Sequence, residues 1–527
     1  MKRMVYEQVT HGASRHVSMT QQAFREVGFV CRTLQGSGAG FDAGLLRELL
    51  ATDADELWLL SDRLMGPVFP LTELLARADT CTQDAWLLTQ GSGFFALKRS
   101  ALEAQAVQTW LQGQRDEEGF ELALQSAQLT GQVMYDTSDW AELTTAPLLD
   151  EPVRMLSERR CPFFLHEVFH RDYGRVIDTT LGHMGQQLYA YLQAEGFDMD
   201  MLWDFLLATC HQEDLYRNLH LTYTLSTRIA PEAAVHEHLK TRRLALAMHL
   251  YYPDLLSQAR AYAEAFPPET EVFVTTDTAE KQLLIEQAFE GCAVKRVEVR
   301  VIENRGRDVS ALLIGLQDLA EYDYVCFFHD KKVLQTKPGT VGMGFAYQCS
   351  ENLFATRAYV LNVIDLMARN KRIGLLSPPA PNHADYFFTL GMSWGPNWQP
   401  ALELYGRLGL GVPISEDKTP IAPLGTCFWF RGAALARLFA YPWQYEDFPA
   451  EPNQTDGTLL HAVERIYPFV AQAEGYCPAY ICTDRFAALE YTNLLHYVRG
   501  FQQVLVSNGC LNRQQTMCES ARQRLWF

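Results

Sequence analysis

Apolar and polar positions alternate in blocks between residues 244 and 332, and the blocks predict strands and helices in turn. Residues 244–251 form an almost unbroken apolar run, as expected of a strand buried on both faces, and a helical spacing follows over 254–266. A second apolar run at 271–276, a helix over 278–289 and a third strand at 297–302 continue the pattern. A further helix over 309–319 leads into the apolar stretch 322–328, which stops at His329-Asp330-Lys331-Lys332. Strands alternating with helices predict a parallel sheet of the α/β class. Open sheets of this class bind ligands beyond the carboxyl ends of their strands, so the polar residues after the fourth strand are candidates for a site.

A fainter version of this order is legible nearer the N-terminus. Gly40-Phe41-Asp42 precedes a helix-like stretch, as Gly306-Arg307-Asp308 does. The apolar run 56–60 ends at Ser61-Asp62, like the run that ends at His329-Asp330. The stretch 93–99 resembles 425–431, each followed by an alanine-rich helix. The repeated order predicts an internal duplication. Between the halves, residues 151–240 have helical periodicity and little strand character. The expected organisation is a degenerate α/β domain at 1–150, a helical connector at 151–240, a complete α/β domain at 241–500, and a tail or docking helix at 501–527.

The chain has 527 residues, more than one core usually supports, which agrees with several domains. With 48% hydrophobic and 20% charged residues it has the composition of an ordinary globular protein. A formal net charge of -18 argues against a general grip on nucleic acid, so any phosphate binding must be local. The twelve cysteines are scattered, with neither a CxxC pair nor zinc-ligand spacing, and read as reduced cytosolic thiols. The N-terminal residues lack a signal-like apolar core, and no run is long enough to cross a bilayer; a cytoplasmic protein, soluble or peripheral at the inner face of the membrane, is expected.

Four clusters can carry chemistry. Asn304-Arg305-Gly306-Arg307-Asp308 joins a strand to a helix. Its amides and two guanidiniums can hold a diphosphate while Asp308 caps the helix, or it is a turn whose glycine is left-handed and whose arginines are solvated. The carboxylate of Asp330 can hold a divalent ion or a ribose, with Lys331 offsetting a departing diphosphate, or the tetrapeptide is a solvated strand end. Glu446, Asp447 and Asp456 precede a helix and offer a general base; capping by Thr455 or Asp456 is the plainer reading. The stretch 374–379 and the aromatic segment 383–398, which includes Trp394, read as a wall on which a sugar could stack, or as core.

Taken in order, the stretches 252–254, 275–277, 304–308, 329–332, 428–431, 446–449 and 456–458 resemble the rhamnan synthesis protein F family, most strongly over 242–491 and more weakly back to 59–67. The resemblance implies a bacterial glycosyltransferase with a GT-A-like nucleotide-binding sheet. It implies an inverting reaction that moves a sugar, rhamnose in the first instance, from a nucleoside-diphosphate donor to a growing surface polysaccharide of O-antigen or rhamnan type. The acceptor would be a glycan or lipid-linked glycan. Donor binding is then expected from His249, Thr276, Asp277, Asn304, Arg305, Arg307, Asp308, His329, Asp330 and Lys331, with acceptor contacts from Trp394 and Trp429. Asp456 matches the catalytic base, beside Glu446 and Asp447. Asp330 stands where the family's acidic motif would bind Mg2+ or Mn2+, but Lys331 replaces a second acidic residue. Asp62 occupies a comparable place in the N-terminal half, with too little chain before it for a full nucleotide-binding half. A donor of another sugar, or a non-catalytic glycan-binding or scaffolding subunit of a polysaccharide synthesis complex, fits the same residues.

Overall fold

The computed structural model describes residues 1–9, 15–35, 43–113, 115–330, 339–380, 394–450, 452, 454 and 456–507. The chain divides into two compact units, Met1–Leu206 and Leu207–Phe527. It is a mixed α/β protein, and each unit is built on its own sheet.

The first unit contains β1 (Arg3–Val9), β2 (Val30–Gln35), β3 (Glu56–Leu60), β4 (Leu64–Met65), β5 (Ala85–Leu87), β6 (Phe95–Lys98), β7 (Gly131–Val133) and β8 (Phe164–Leu165). Six of these form a sheet in the order β2-β1-β3-β6-β5-β7, and β4 pairs with β8. Strand alternation sends side chains to two separate cores. Val5, Trp58, Leu60 and Trp86 pack on one face, and Met4, Leu57, Leu59 and Leu97 on the other. Trp58 and Trp86 are completely buried, edge to face at 4.8 Å. Glu56, also completely buried, accepts hydrogen bonds from Arg3 Nε at 2.6 Å and Trp86 Nε1 at 3.1 Å, so its charge is paired where water is excluded.

The second unit contains β9 (Thr222–Leu225), β10 (Leu244–His249), β11 (Glu271–Thr276), β12 (Arg296–Val301), β13 (Tyr324–His329), β14 (Ile373–Ser377), β15 (Phe428–Phe430) and β16 (Cys477–Thr483). They form one sheet in the order β12-β11-β10-β13-β15-β14-β16-β9. The four strands predicted from 244 to 328 pair in parallel as β12-β11-β10-β13. β15 runs antiparallel to both β13 and β14.

The two sheets share a plan. In each, a central strand pairs in parallel with the next strand in sequence on one side and a later one on the other. In each, that later strand pairs antiparallel with its neighbour, and two further strands follow in matching directions. In chain order β1, β2, β3, β5, β6 and β7 take the places of β10, β11, β13, β14, β15 and β16; the larger sheet adds β12 and β9 at its edges. The correspondence extends to hydrogen bonds. The Lys2 amide donates to Asp55 Oδ2 at 2.7 Å and the Arg243 amide to Asp323 Oδ2 at 2.8 Å. The Lys2 carbonyl accepts from the amides of Asp55 and Glu56, and the Arg243 carbonyl from those of Asp323 and Tyr324. Asp62 and Asp330 each stand seven residues beyond the pinned aspartate.

Three expectations need correction. The chain before Asp62 holds two parallel strands, β1 and β2, although no counterpart of β12 stands among the described residues, so the half is shorter than the second but not devoid of the sheet's start. Residues 151–240 are not a separate connector: the stretch up to Leu206 belongs to the first unit and the remainder to the second. There β9 extends the sheet beside β16, and the helix Gln212–Asn218 binds the loop 418–421 through Gln212, Glu213 and Asp214. The boundary at 500/501 falls inside the helix Asp484–Ser507. No helix among the described residues is long and apolar enough to cross a membrane.

Candidate functional site

The carboxyl ends of β10, β11 and β13 bring five of the named residues to one edge of the second sheet. His249 ends β10, and its Nδ1 lies 3.0 Å from Thr275 Oγ1. Burial pushes the His249 pKa down, while Asp308 and Asp277 pull it up, so the ring favours its neutral form. Thr276 ends β11 with its hydroxyl buried and without a hydrogen-bond partner among the described residues. An unsatisfied buried hydroxyl costs about 1–3 kcal/mol, which makes it a ready contact for a ligand. Asp277 follows, paired with Lys281 Nζ at 2.7 Å. Lys281 in turn lies 3.6 Å from the centre of the Tyr251 ring.

Asp330 follows β13 and is 7% exposed. Its Oδ2 accepts from the amides of Tyr251 and Tyr252 at 2.8 and 2.7 Å, and its own amide donates to the His249 carbonyl at 3.1 Å. The carboxylate is therefore fixed by the backbone that leaves the neighbouring strand. His329 is tied to the same edge, with Nε2 3.0 Å from the Gly425 carbonyl oxygen. Gly425 donates its amide to the buried Glu464 Oε2 at 2.6 Å, which links the exit of β13 to the helix Leu459–Ala473. Lys331 lies outside the described residues.

The turn 304–308 is organised differently from expectation. Arg305 Nε donates to the Phe448 carbonyl at 2.8 Å and Nη2 to the Glu446 carbonyl at 3.1 Å. That guanidinium is a clamp on the 446–448 turn. Gly306 is left-handed, at φ +85°, and a Cβ there would lie 2.7 Å from Ser310 Cβ and 2.8 Å from Phe448 Cγ. Gly306, not Asp308, is the N-cap, and no side chain caps the helix Arg307–Leu313. Asp308 sits in its first turn, where a carboxylate suits the helix dipole. Asn304 and Arg307 are exposed.

Asp456 is about half exposed, its side chain at 47%. Its Oδ1 accepts from Asn397 Nδ2 at 2.8 Å and from the Gly457 amide at 2.9 Å, and His461 Nδ1 lies 3.9 Å away. Asn397 is completely buried and also accepts from the Gly457 amide at 3.1 Å, so it orients the carboxylate from beneath. The helix that follows has Thr458 as its N-cap residue; neither Asp456 nor Thr455, the latter outside the described residues, occupies that position. Asp447 Oδ2 accepts from the Gln444 amide at 2.8 Å within its own turn, and Glu446 is exposed.

The two aromatic assignments are corrected. Trp429 is completely buried in β15, donates to the Leu353 carbonyl at 3.0 Å and stacks on Phe266. Trp394 is 4% exposed, donates to the carbonyls of Ser415 and Lys418 and stacks on Phe469. Neither ring presents a face to a sugar. Residues 374–377 are likewise an interior strand, β14, and residues 383–393 of the aromatic segment lie outside the described residues. Sequence reasoning overlooked the Tyr251 and Tyr252 amides, Asn397, and the pinning role of Glu464. A polar residue inside the apolar periodicity of 459–471 is the signal that marks Glu464.

Fold and strand-end cluster define the class first: a mixed α/β protein that gathers polar chemistry at the carboxyl edge of a largely parallel sheet. A family model described as rhamnan synthesis protein F matches residues 114–476, and the chain belongs to this family. The uncharacterized protein WxcX of Xanthomonas campestris pv. campestris strain B100 is 26% identical over 236 residues, 44% of this chain and 32% of the relative. The same protein from strain ATCC 33913 matches to the same extent. The chain thus spans about a third of the length of the curated relatives it matches. Among solved structures, S. aureus TarS 1-349 with UDP-GlcNAc aligns at 13% identity and a TM-score of 0.24, covering 46% of this chain and 58% of that one. Its complex with UDP aligns at 12% identity and the same TM-score, covering 46% and 60%.

Proposed function

We propose that the chain is a glycosyltransferase of polysaccharide synthesis whose second unit is a GT-A-like donor domain. The observation that carries this reading is Asp330, a buried carboxylate locked by two amides at the carboxyl edge of the sheet in a member of the rhamnan synthesis family. The donor is a nucleoside-diphosphate sugar, with rhamnose as the first sugar to test. It lies across the strand ends, where His249, Thr276, Asp277, His329 and Asp330 contact the nucleotide and the sugar. Exposed Arg307 and Asn304, together with Lys331, meet the diphosphate; Asp308 favours the helix start beside them.

A divalent ion has a thin donor set. Among the described residues no group of three or more His, Cys, Asp or Glu side chains is arranged to hold a metal. Mg2+ or Mn2+ would rest on Asp330 and the diphosphate oxygens, in the way Mg2+ is often held by one carboxylate and substrate phosphates. Bound there, it would offset charge on the leaving group. Asp456 deprotonates the acceptor hydroxyl, which attacks the anomeric carbon from the face opposite the diphosphate and inverts it. The acceptor is a glycan or lipid-linked glycan, met at the inner face of the plasma membrane.

Asp456→Asn should abolish transfer and spare donor binding, whereas Asp330→Asn should weaken donor binding at least tenfold. Titration with nucleoside-diphosphate rhamnose, followed by a transfer assay, reads both. Wild-type turnover by Asp456→Asn would remove that residue as base. The replacement of a second acid by Lys331 favours one other reading, a glycan-binding subunit without activity. Absence of binding and of slow hydrolysis across a panel of nucleotide sugars would support it.

A further inference from the structure

The first unit has a cavity of its own, of about 170 Å³, at the ends of β3 and β6. Ser61 and Arg63 line it where the chain leaves β3, Gly93 and Phe95 where it enters β6, and Arg115 closes another side. These strand ends hold the places that β13 and β15 hold in the larger sheet. The exit sequence differs: Asp62 keeps the position of Asp330, but Ser61 and Arg63 flank it where His329 and Lys331 flank Asp330.

Several contacts build this cavity. Gly93 is left-handed, and a Cβ on it would lie 3.0 Å from Ser61 Cβ, so glycine lets the two strand ends approach. The Gly91 amide donates to Glu117 Oε1 at 2.8 Å, which fixes the turn before β6. Arg63 donates Nε and Nη2 to Glu167 Oε2 at 3.2 and 2.6 Å, so its guanidinium is oriented rather than loose. Burial lowers the Arg115 pKa, which agrees with a cation partly withdrawn from water.

The dimensions and lining select a ligand. The volume falls below the roughly 300–1,000 Å³ of pockets that enclose drug-sized ligands, so it suits one sugar ring and not a nucleotide sugar. Leu59, Leu60 and Phe95, each at most 4% exposed, close the floor of the cavity, and the Ser61 hydroxyl suits the hydroxylated edge of a ring. Two guanidiniums line one small cavity, Arg63 with its Nε edge already on Glu167, and their charge favours a carboxylate or phosphate.

We propose that the first unit binds an anionic sugar residue, a uronate or a sugar phosphate, in the Ser61–Arg63–Gly93–Arg115 cavity. That the ring belongs to the glycan under construction rests on the transferase reading above; the binding itself does not. The test is calorimetric titration of the full chain with glucuronate, glucose 1-phosphate, glucose and inorganic phosphate. Saturable binding of glucuronate or glucose 1-phosphate is expected, and which of the two binds identifies the anion. Glucose and phosphate should bind at least tenfold more weakly. Arg115→Gln and Arg63→Gln should each weaken the anionic sugar at least tenfold, while Asp330→Asn, which tests the donor site, leaves it unchanged. Arg115→Gln carries the test alone if loss of the Glu167 pair unfolds Arg63→Gln. The proposal is overturned if neither anionic sugar binds, if phosphate binds as tightly as the sugars, or if Arg115→Gln binds like the wild type.

Discussion

Asp330 illustrates how a single carboxylate is made into a fixed instrument. Two backbone amides converge on one oxygen, which sets the direction in which the other can act. Gly306 does comparable work with no side chain at all. At φ +85° a β-carbon is strained, and the space it would enter is filled by Ser310 and Phe448. Gly306→Ala should destabilise the protein by roughly 1–3 kcal/mol, the usual cost of forcing an L-residue into a sparsely populated backbone region, and more if Phe448 cannot yield. Denaturant unfolding of the purified variant measures this directly. An unchanged midpoint would mean that the turn can relax.

At the scale of elements, Arg305 binds the strand-to-helix turn 304–308 to the turn 446–448 through two carbonyls. Lysine keeps the charge at this position but lacks the fork that reaches both acceptors. Arg305→Lys should therefore slow transfer, because it loosens the turn bearing Glu446 and Asp447, yet leave donor affinity within a few-fold of wild type. A tenfold rise in donor Kd would instead put the guanidinium on the diphosphate. The parallel strands were legible because β10, β11 and β13 are buried on both faces and so read as apolar runs. β1 was not, because it mixes Arg3, Glu7 and Gln8 with its apolar positions; yet Glu7 is buried at 2% and Arg3 is paired with Glu56. β16, buried throughout, was overlooked since Cys477, Pro478 and Thr483 obscure its pattern. The candidate site was legible as residue types at strand ends. Hydrogen-bond partners far apart in sequence, such as Asp330 with Tyr251 or Asp456 with Asn397, decide how each side chain is used, and no local spacing encodes them. Trp394 and Trp429 were misread for the same reason: an aromatic cluster looks alike in a wall and in a core.

For the whole molecule, two buried carboxylates give stability opposite dependences on pH. Burial raises the Glu7 pKa to about 8, and the charge of Asp62 adds to the effect. The folded chain then holds a proton that the unfolded chain, with a carboxyl near 4.3, releases, so Glu7 costs stability progressively as pH rises from about 4.5 to 8. Glu271 is the reverse. Burial opposes its charge, but hydrogen bonds from Lys295, Tyr322 and Arg296 outweigh this and hold its pKa at about 2. Its contribution is present above the unfolded pKa and is lost as pH falls from about 4.5 towards 2. Glu7→Gln should therefore raise the melting temperature at pH 8 to 9 and change it little at pH 5. Glu271→Gln should lower it at neutral pH, with the difference from wild type closing below pH 4. Calorimetric melts of the full chain across this range separate the two effects. A Glu7→Gln difference that does not grow between pH 5 and 8 would show that Glu7 is ionised in the folded chain, its charge offset despite burial.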